Sequence, residues 1–335
     1  MKTKYRGAAL LMAAVAAGMQ AAALPGCGGK PQPQQAVGIL MLDESRQPVL
    51  DGLKDGLERL GFSEGVEVRF VVRNAEDDLR RLVPLAKELA DQKPAVICAL
   101  GTLEAMAAVP LAESAGVAVV YLGVNNPAGL GISKSDTEPL PNTTGIRSGY
   151  GERLPKRMQL ATFFFAGLRT VTVLYDPQDP PSARGMRLCE QTAPKLGLMV
   201  QSAALASDAD VKYFAETLAP GKHQLLLYTP TPLLTRHHKA IIAPAAIRAK
   251  VPLFALNKQA CLDGAVISFG PSLYGFGSQG AQLVRRILLG SAPETLPIEL
   301  PEGKELLLCI NMKAAQEIGV TFPQRMFELA DIVIR

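Results

Sequence analysis

Side chains suited to holding a small solute collect where apolar, β-branched runs give way to polar loops. The run VAVVYL ends in GVNNPAGLGIS, residues 123–133. There Asn125 and Asn126 carry amides that both donate and accept hydrogen bonds, and the glycines free the backbone to approach a neighbour closely. The run AVICAL continues into Gly101 and Thr102. A helix starting there presents the threonine hydroxyl and the unpaired N–H groups of its first turn to a carbonyl or an anion, or else uses the hydroxyl as its own cap. Thr229 and Thr231 follow HQLLLY, Asn257 and Lys258 follow VPLFAL, and Tyr175 and Asp176 close TVTVLYD. Tyr175 offers a flat face and a hydroxyl, while Asp176 is equally suited to starting the turn DPQDPP. Such groups recognise a solute; none is a nucleophile with a base at a known spacing.

Motifs of other chemistry are weak or missing. GFGSQG, residues 275–280, fits G-x-G-x-x-G and opens a helix, but no acidic residue ends a clear second strand after it, so it reads as a Gly-rich hinge and helix start. Phe269, Tyr274 and Phe276 flank that turn, either lining a mouth or packing a hinge. His237 and His238 are adjacent and have no acid or Cys at metal spacing, which reads as a solvated helix start. No G-x-S-x-G, H-E-x-x-H or P-loop occurs, so neither catalysis nor a cofactor is expected.

The elements that must position these groups repeat as strand, loop, amphipathic helix. AVGILML reads as a strand, and RQPVLDGLKDGLERLGF puts Val49, Leu53, Leu57 and Leu60 on one helical face. Strands VEVRFVV, AVICAL and VAVVYL alternate with two further helices, and after NTTGIRS the pattern restarts with helix GERLPKRMQLATFFFAG and strands TVTVLYD, MVQSAAL, HQLLLY and VPLFAL. The fold class is therefore α/β, two doubly wound parallel sheets of similar size, with ligands expected beyond the carboxyl ends of the strands.

The chain has 335 residues, 48% of them hydrophobic, no Trp and a net charge of +4. The charge is dispersed, without basic runs interleaved with aromatics, so nucleic acid is not an expected partner. MKTKYRG followed by AALLMAAVAAGMQAAAL has the basic and apolar regions of an export signal, and LPGC places Cys27 as the lipidated cysteine of a bacterial lipobox. Residues 1–27 are the expected signal peptide, and GGKPQPQQ, 28–35, a flexible tether. The remaining cysteines, Cys98, Cys189, Cys261 and Cys309, are even in number, which in an exported chain raises the question of disulfides. Cys98 and Cys309 fall in apolar runs and read as core packing; the state of Cys189 and Cys261 is open.

The stretches VLDGLKDGLERLGFSEGVEVRFVVRNAEDD, KPAVICALGT, NNPAGLG, NTTGI, VTVLYDPQDPPS and AAQEIGVTFPQRMFELADIVI resemble the ABC transporter substrate-binding proteins of the tryptophan/tyrosine-type group, two-lobed type 1 periplasmic binding proteins. The resemblance implies a monomeric clamshell in the periplasm, lipid-anchored to a bacterial membrane, that passes a small molecule to an ABC-type or other permease. It implies hinge crossings near 143–148, 268–272 and 297–306, with lobe 1 formed by 36–145 plus 270–300 and lobe 2 by 146–269 plus 305–335. Family members carry T-D-P where this chain has Asn125, Asn126 and Pro127, and Asp where it has Asn257. Two acids thus stand as amides, and an ammonium buried without a carboxylate is costly. The resulting expectation is a neutral or apolar, lipid-like ligand. Aromatic amino-acid uptake, with Asp43 or Glu44 supplying the charge, and ligand sensing for a membrane kinase are the alternatives.

Overall fold

The computed structural model describes residues 34–335; the signal segment, the Cys27 lipidation site and most of the tether lie outside the described residues. The first lobe runs β1 (Gln35–Met41), α1 (Gln47–Arg59), β2 (Val68–Asn74), α2 (Leu79–Asp91), β3 (Val96–Ala99), α3 (Thr102–Ser114), β4 (Val119–Val124) and β5 (Thr143–Arg147). The chain then crosses to α4 (Leu154–Phe164), β6 (Thr170–Tyr175), α5 (Pro180–Thr192), β7 (Met199–Ala204), α6 (Asp208–Thr217), β8 (Leu226–Tyr228), α7 (Pro232–His237), α8 (Ala243–Arg248), β9 (Leu253–Ala255), α9 (Lys258–Leu262) and β10 (Ile267–Pro271). It returns to the first lobe for α10 (Leu273–Leu288). It crosses once more to β11 (Leu306–Asn311), α11 (Met312–Ile318), α12 (Gln324–Phe327) and β12 (Ile332–Ile334).

The two sheets have the orders β2-β1-β3-β4-β5 and β12-β11-β10-β9-β8-β6-β7. All pairings are parallel except β10 with β11, where the chain re-enters the second sheet from the opposite direction. Central strands such as β3 and β9 are buried along their whole length, as strands covered on both faces must be. In the first lobe one face is packed by α1 and α10 and the other by α2 and α3. In the second, α4, α5 and α11 cover one face and α6 to α8 the other. Leu53 and Leu57 are fully buried, each contributing roughly 1.5–3 kcal/mol through the water it no longer meets.

Two sequence expectations change here. GFGSQG lies inside α10, whose N-cap Ser272 accepts a hydrogen bond from the Gly275 N–H at 2.8 Å. Its glycines answer close packing on several sides: a Cβ on Gly277 would stand 1.9 Å from the Val49 carbonyl oxygen of α1, one on Gly280 2.2 Å from the Leu122 side chain of β4 and one on Gly275 2.6 Å from the Glu305 carboxylate, while a Cβ on Gly52 of α1 would lie 2.0 Å from the Tyr274 carbonyl oxygen. His238, expected in a solvated helix start, is buried in a wider π-helical turn, His238–Ile242, that joins α7 to α8. Its Nε2 lies 2.8 Å from the Ala260 carbonyl oxygen. His237 stays near the surface beside Asp208.

Candidate ligand site between the lobes

The carboxyl ends of β4 and β5 face the start of α5 and the end of β8 across the first crossing. A cavity of about 280 Å³ lies between them, lined by Asn125, Asn126, Asp136 and Arg147 from one lobe and by Arg184 and Pro230 from the other. That is near the lower end for small-molecule sites, about 300 Å³. Arg147 is ion-paired to Glu152, which also lines the cavity, and its Nη1 lies 4.0 Å from Asp136. Arg184 makes no salt bridge among the described residues. A second cavity of about 450 Å³ opens on another flank of the interlobe region, where Asn257, Lys258 and Leu262 of the second lobe meet Tyr274, Lys304 and Glu305.

The expected ligand residues therefore divide. Asn125 and Asn126 share the smaller cavity; Asn257 and Tyr274 share the larger one. Asp43, Glu44, Thr102, Tyr175, Asp176, Thr229 and Thr231 line neither. Several of these are held by local bonds. The Asp43 carboxylate accepts the Ser45 N–H at 2.7 Å, and hydrogen bonding from Ser45 holds its pKa below the usual range. Glu44 accepts from the Asn74 amide at 2.8 Å. Asp176 starts its turn, accepting the Gln178 N–H at 2.8 Å. Thr229 is fully buried, its hydroxyl 2.5 Å from that of Ser182. Thr231 is buried with its hydroxyl unpartnered among the described residues, and Tyr175 packs against the core beneath α5.

Thr102 does not cap α3: Gly101 occupies the N-cap, and the Thr102 hydroxyl accepts the Asn125 N–H at 3.3 Å. The Asn125 amide oxygen in turn accepts from Ser148 at 3.3 Å, so the ends of three segments are joined where the first crossing begins. Asn126 adopts a left-handed φ of 55° and accepts the Gly129 N–H at 3.3 Å. A Cβ on Gly129 would lie 2.0 Å from the Asn126 amide nitrogen, so this glycine makes room for the side chain that faces the cavity. Asn257 caps α9 through the Ala260 N–H at 2.9 Å and reaches the Tyr150 hydroxyl at 3.4 Å. Tyr274 donates to Asp55 at 2.8 Å.

The charged groups escaped the sequence reading. Arg147 closes β5, while Arg184 lies one turn into α5 with no strand-end position to mark it; only the folded chain brings the two to one cavity. Beside the cleft end of β1, Arg46 donates to Glu104 at 2.8 Å, and the fully buried Glu104 also accepts the Leu42 N–H at 3.1 Å. A Cβ on Gly101 would stand 2.5 Å from the other Glu104 oxygen. Arg157 is fully buried without a carboxylate, donating to the carbonyls of Phe269 and Tyr150 at 2.8 Å each and of Leu256 at 3.4 Å. Burial pushes its pKa down to about 10, so it remains charged at neutral pH.

Two doubly wound lobes joined by three crossings, with strand ends facing one another across a cleft, define a periplasmic binding protein of the type 1 fold. The family model for the ABC transporter substrate binding protein matches residues 35–334, and the chain belongs to that family. A protein described as "Tyrosine-binding protein", from Clostridioides difficile, is 24% identical over 279 residues, covering 82% of this chain and 79% of that one. Among solved structures, a conserved domain protein from Vibrio cholerae superposes with a TM-score of 0.70 at 25% identity, over 90% of this chain and all of that one. A ligand-free, open substrate binding protein with adhesive properties from Clostridium difficile gives 0.74 at 21%, over 90% of this chain and 99% of that one. A Streptococcus pneumoniae domain in complex with L-Trp gives a TM-score of 0.69 at 20%, over 90% of this chain and all of that one. At those last two identities the likeness is one of fold. Among the described residues no helix is long and apolar enough to cross a membrane.

Proposed function

We propose that this protein captures a small zwitterionic solute of the amino-acid kind between its lobes and hands it to an ABC permease. In this reading it is held outside the cytoplasm by a lipid on Cys27. The observation that carries the ligand class is the disposition of charge in the smaller cavity. On one side Arg147 is paired with Glu152 and stands 4.0 Å from Asp136, which has no closer cation among the described residues; on the other stands Arg184 of the second lobe. An ammonium directed at the first and a carboxylate at the second would bridge the lobes, with Asn125 and Asn126 meeting the remaining polar atoms. Contacts to both lobes are available only when the lobes approach, so the ligand favours closure by the free energy of those contacts.

The tyrosine-binding relative supports the same class. An apolar, lipid-like solute fits less well, because it would strip water from four charged groups without replacing their partners. The test is to purify the protein without denaturation, release bound small molecules with solvent and identify them by mass spectrometry. Recovery of an amino acid or close zwitterion is expected; recovery of a neutral lipid or sugar would contradict the reading.

A further inference from the structure

The larger cavity, about 450 Å³, falls within the size range of small-molecule sites and is lined quite differently from the smaller one. Arg59 at the end of α1 and Leu273 of α10 form its first-lobe wall, Lys258 and Leu262 of α9 its second-lobe wall, and Lys304 and Glu305 of the last crossing close it. Three cations thus face one carboxylate. Among the described residues none of the three is in a salt bridge. The one carboxylate is engaged elsewhere. The Glu305 oxygen that a Cβ on Gly275 would meet at 2.6 Å rests on the first turn of α10, whose free N–H groups carry partial positive charge. The Ser272 N–H, donated to the Glu305 carbonyl at 3.0 Å, holds it there. Nearby Asp55 accepts from the Tyr274 hydroxyl at 2.8 Å, and Glu302 lines only the adjoining cavity, which shares Arg59, Ser278, Lys304 and Glu305 with this one. Apolar surface lies beside the cations. A single exposed leucine is ordinary, but Leu262, 47% exposed, shares this cavity with the partly buried Leu273 and Leu307.

We propose that this cavity is a second ligand site, separate from the one between Asp136 and Arg184, for an organic anion with an apolar alkyl tail. Its carboxylate meets Lys258, Lys304 and Arg59, which lack a counter-charge, and its tail covers Leu262, Leu273 and Leu307. Both halves of such a ligand are needed to match the lining. An inorganic anion leaves the leucines in water, and an amino acid brings an ammonium to a wall that is already cationic. A neutral alcohol covers the leucines but leaves the three cations as they were. Lys258 and Leu262 lie four residues apart on α9, so one helix supplies a charged and an apolar contact on the same side.

The probe is sodium octanoate, titrated calorimetrically into the protein at low ionic strength, with octanol and octylammonium as comparison solutes. Saturable octanoate binding with half-saturation below about 5 mM is expected, with octanol weaker and octylammonium not binding. Reversing both exposed lysines, Lys258→Glu with Lys304→Glu, should weaken octanoate by about tenfold or more while the circular dichroism spectrum stays that of the wild type. Arg184→Ala, in the smaller cavity, should bind octanoate as the wild type does. Octanoate should also slow amide exchange of residues 258–262. Absence of saturable binding, octanol or octylammonium binding as tightly as octanoate, or an affinity unmoved by the double charge reversal overturns the proposal. Loss of octanoate binding in Arg184→Ala, or unchanged exchange at 258–262 in the saturated protein, places the probe elsewhere and overturns it as well. The zwitterion reading predicts nothing of Lys258 and Lys304, so a failure here leaves it standing.

Discussion

The Arg157 guanidinium reaches from α4 to the Phe269 carbonyl of β10, 2.8 Å away, and so joins the segment that enters the second lobe to the one that leaves it. Its bonds to the Tyr150 and Leu256 carbonyls extend the clamp to the first crossing and to the end of β9. Removing the side chain leaves three carbonyls short of a donor. Arg157→Met, which keeps most of the volume, is therefore expected to cost about 2–4 kcal/mol of stability. Urea unfolding followed by far-ultraviolet circular dichroism measures it; a cost below about 0.5 kcal/mol would mean that the clamp contributes little.

The seam between α1 and α10 predicts a steric effect of similar size. In Gly277→Ala the new methyl group meets the Val49 carbonyl oxygen at 1.9 Å, so the helices must separate. A loss of about 1–3 kcal/mol is expected in the same unfolding assay. Gly290→Ala, with open space around its Cβ position but a φ of 96°, should fall short of that loss.

Glu104→Gln tests the ion pair beside β1. The amide can still accept from the Leu42 N–H, but Arg46 loses its counter-charge. Because Arg46 is partly exposed, water recovers some of the difference, and a loss of about 1–2 kcal/mol is expected from chemical denaturation.

His238 predicts a pH dependence. Burial lowers its pKa, outweighing the Ala260 carbonyl and Asp263, which favour the charged ring. The unfolded chain therefore takes up a proton near pH 6.5 while the folded chain does not, and stability falls as pH drops below about 6.5 until the folded pKa is reached. The melting temperature of the wild-type protein should decline over that interval, and that of His238→Gln should decline less. Identical slopes would remove His238 from the account.

Much of the fold could be read from periodicity. Leu53 and Leu57 recur at helical spacing and are fully buried on α1, and AVICAL and VAVVYL yielded β3 and β4. The site was less legible, because a strand-end residue can either face a ligand or hold its own loop. Asp43, Asp176 and Asn257 all accept backbone N–H groups two or three residues onward, a use of Asp and Asn that sequence cannot separate from ligand contact. Arg147 and Arg184 were invisible for a different reason: they lie 37 positions apart on different lobes, and only the arrangement of the lobes brings them to one cavity. GFGSQG matched a phosphate-binding pattern because glycine answers any close approach, whether to a phosphate or, as here, to a helix backbone.

The most direct test of the central claim is a calorimetric titration with L-tyrosine and a panel of other amino acids on the wild-type protein, Arg184→Ala and Asp136→Asn. Saturable binding of at least one zwitterion to the wild type is predicted. Each variant should weaken it by about ten- to hundredfold, the loss of one charge-assisted hydrogen bond. Binding that persists unchanged in both variants, or a wild type that ignores every zwitterion and binds a neutral solute, would contradict the account.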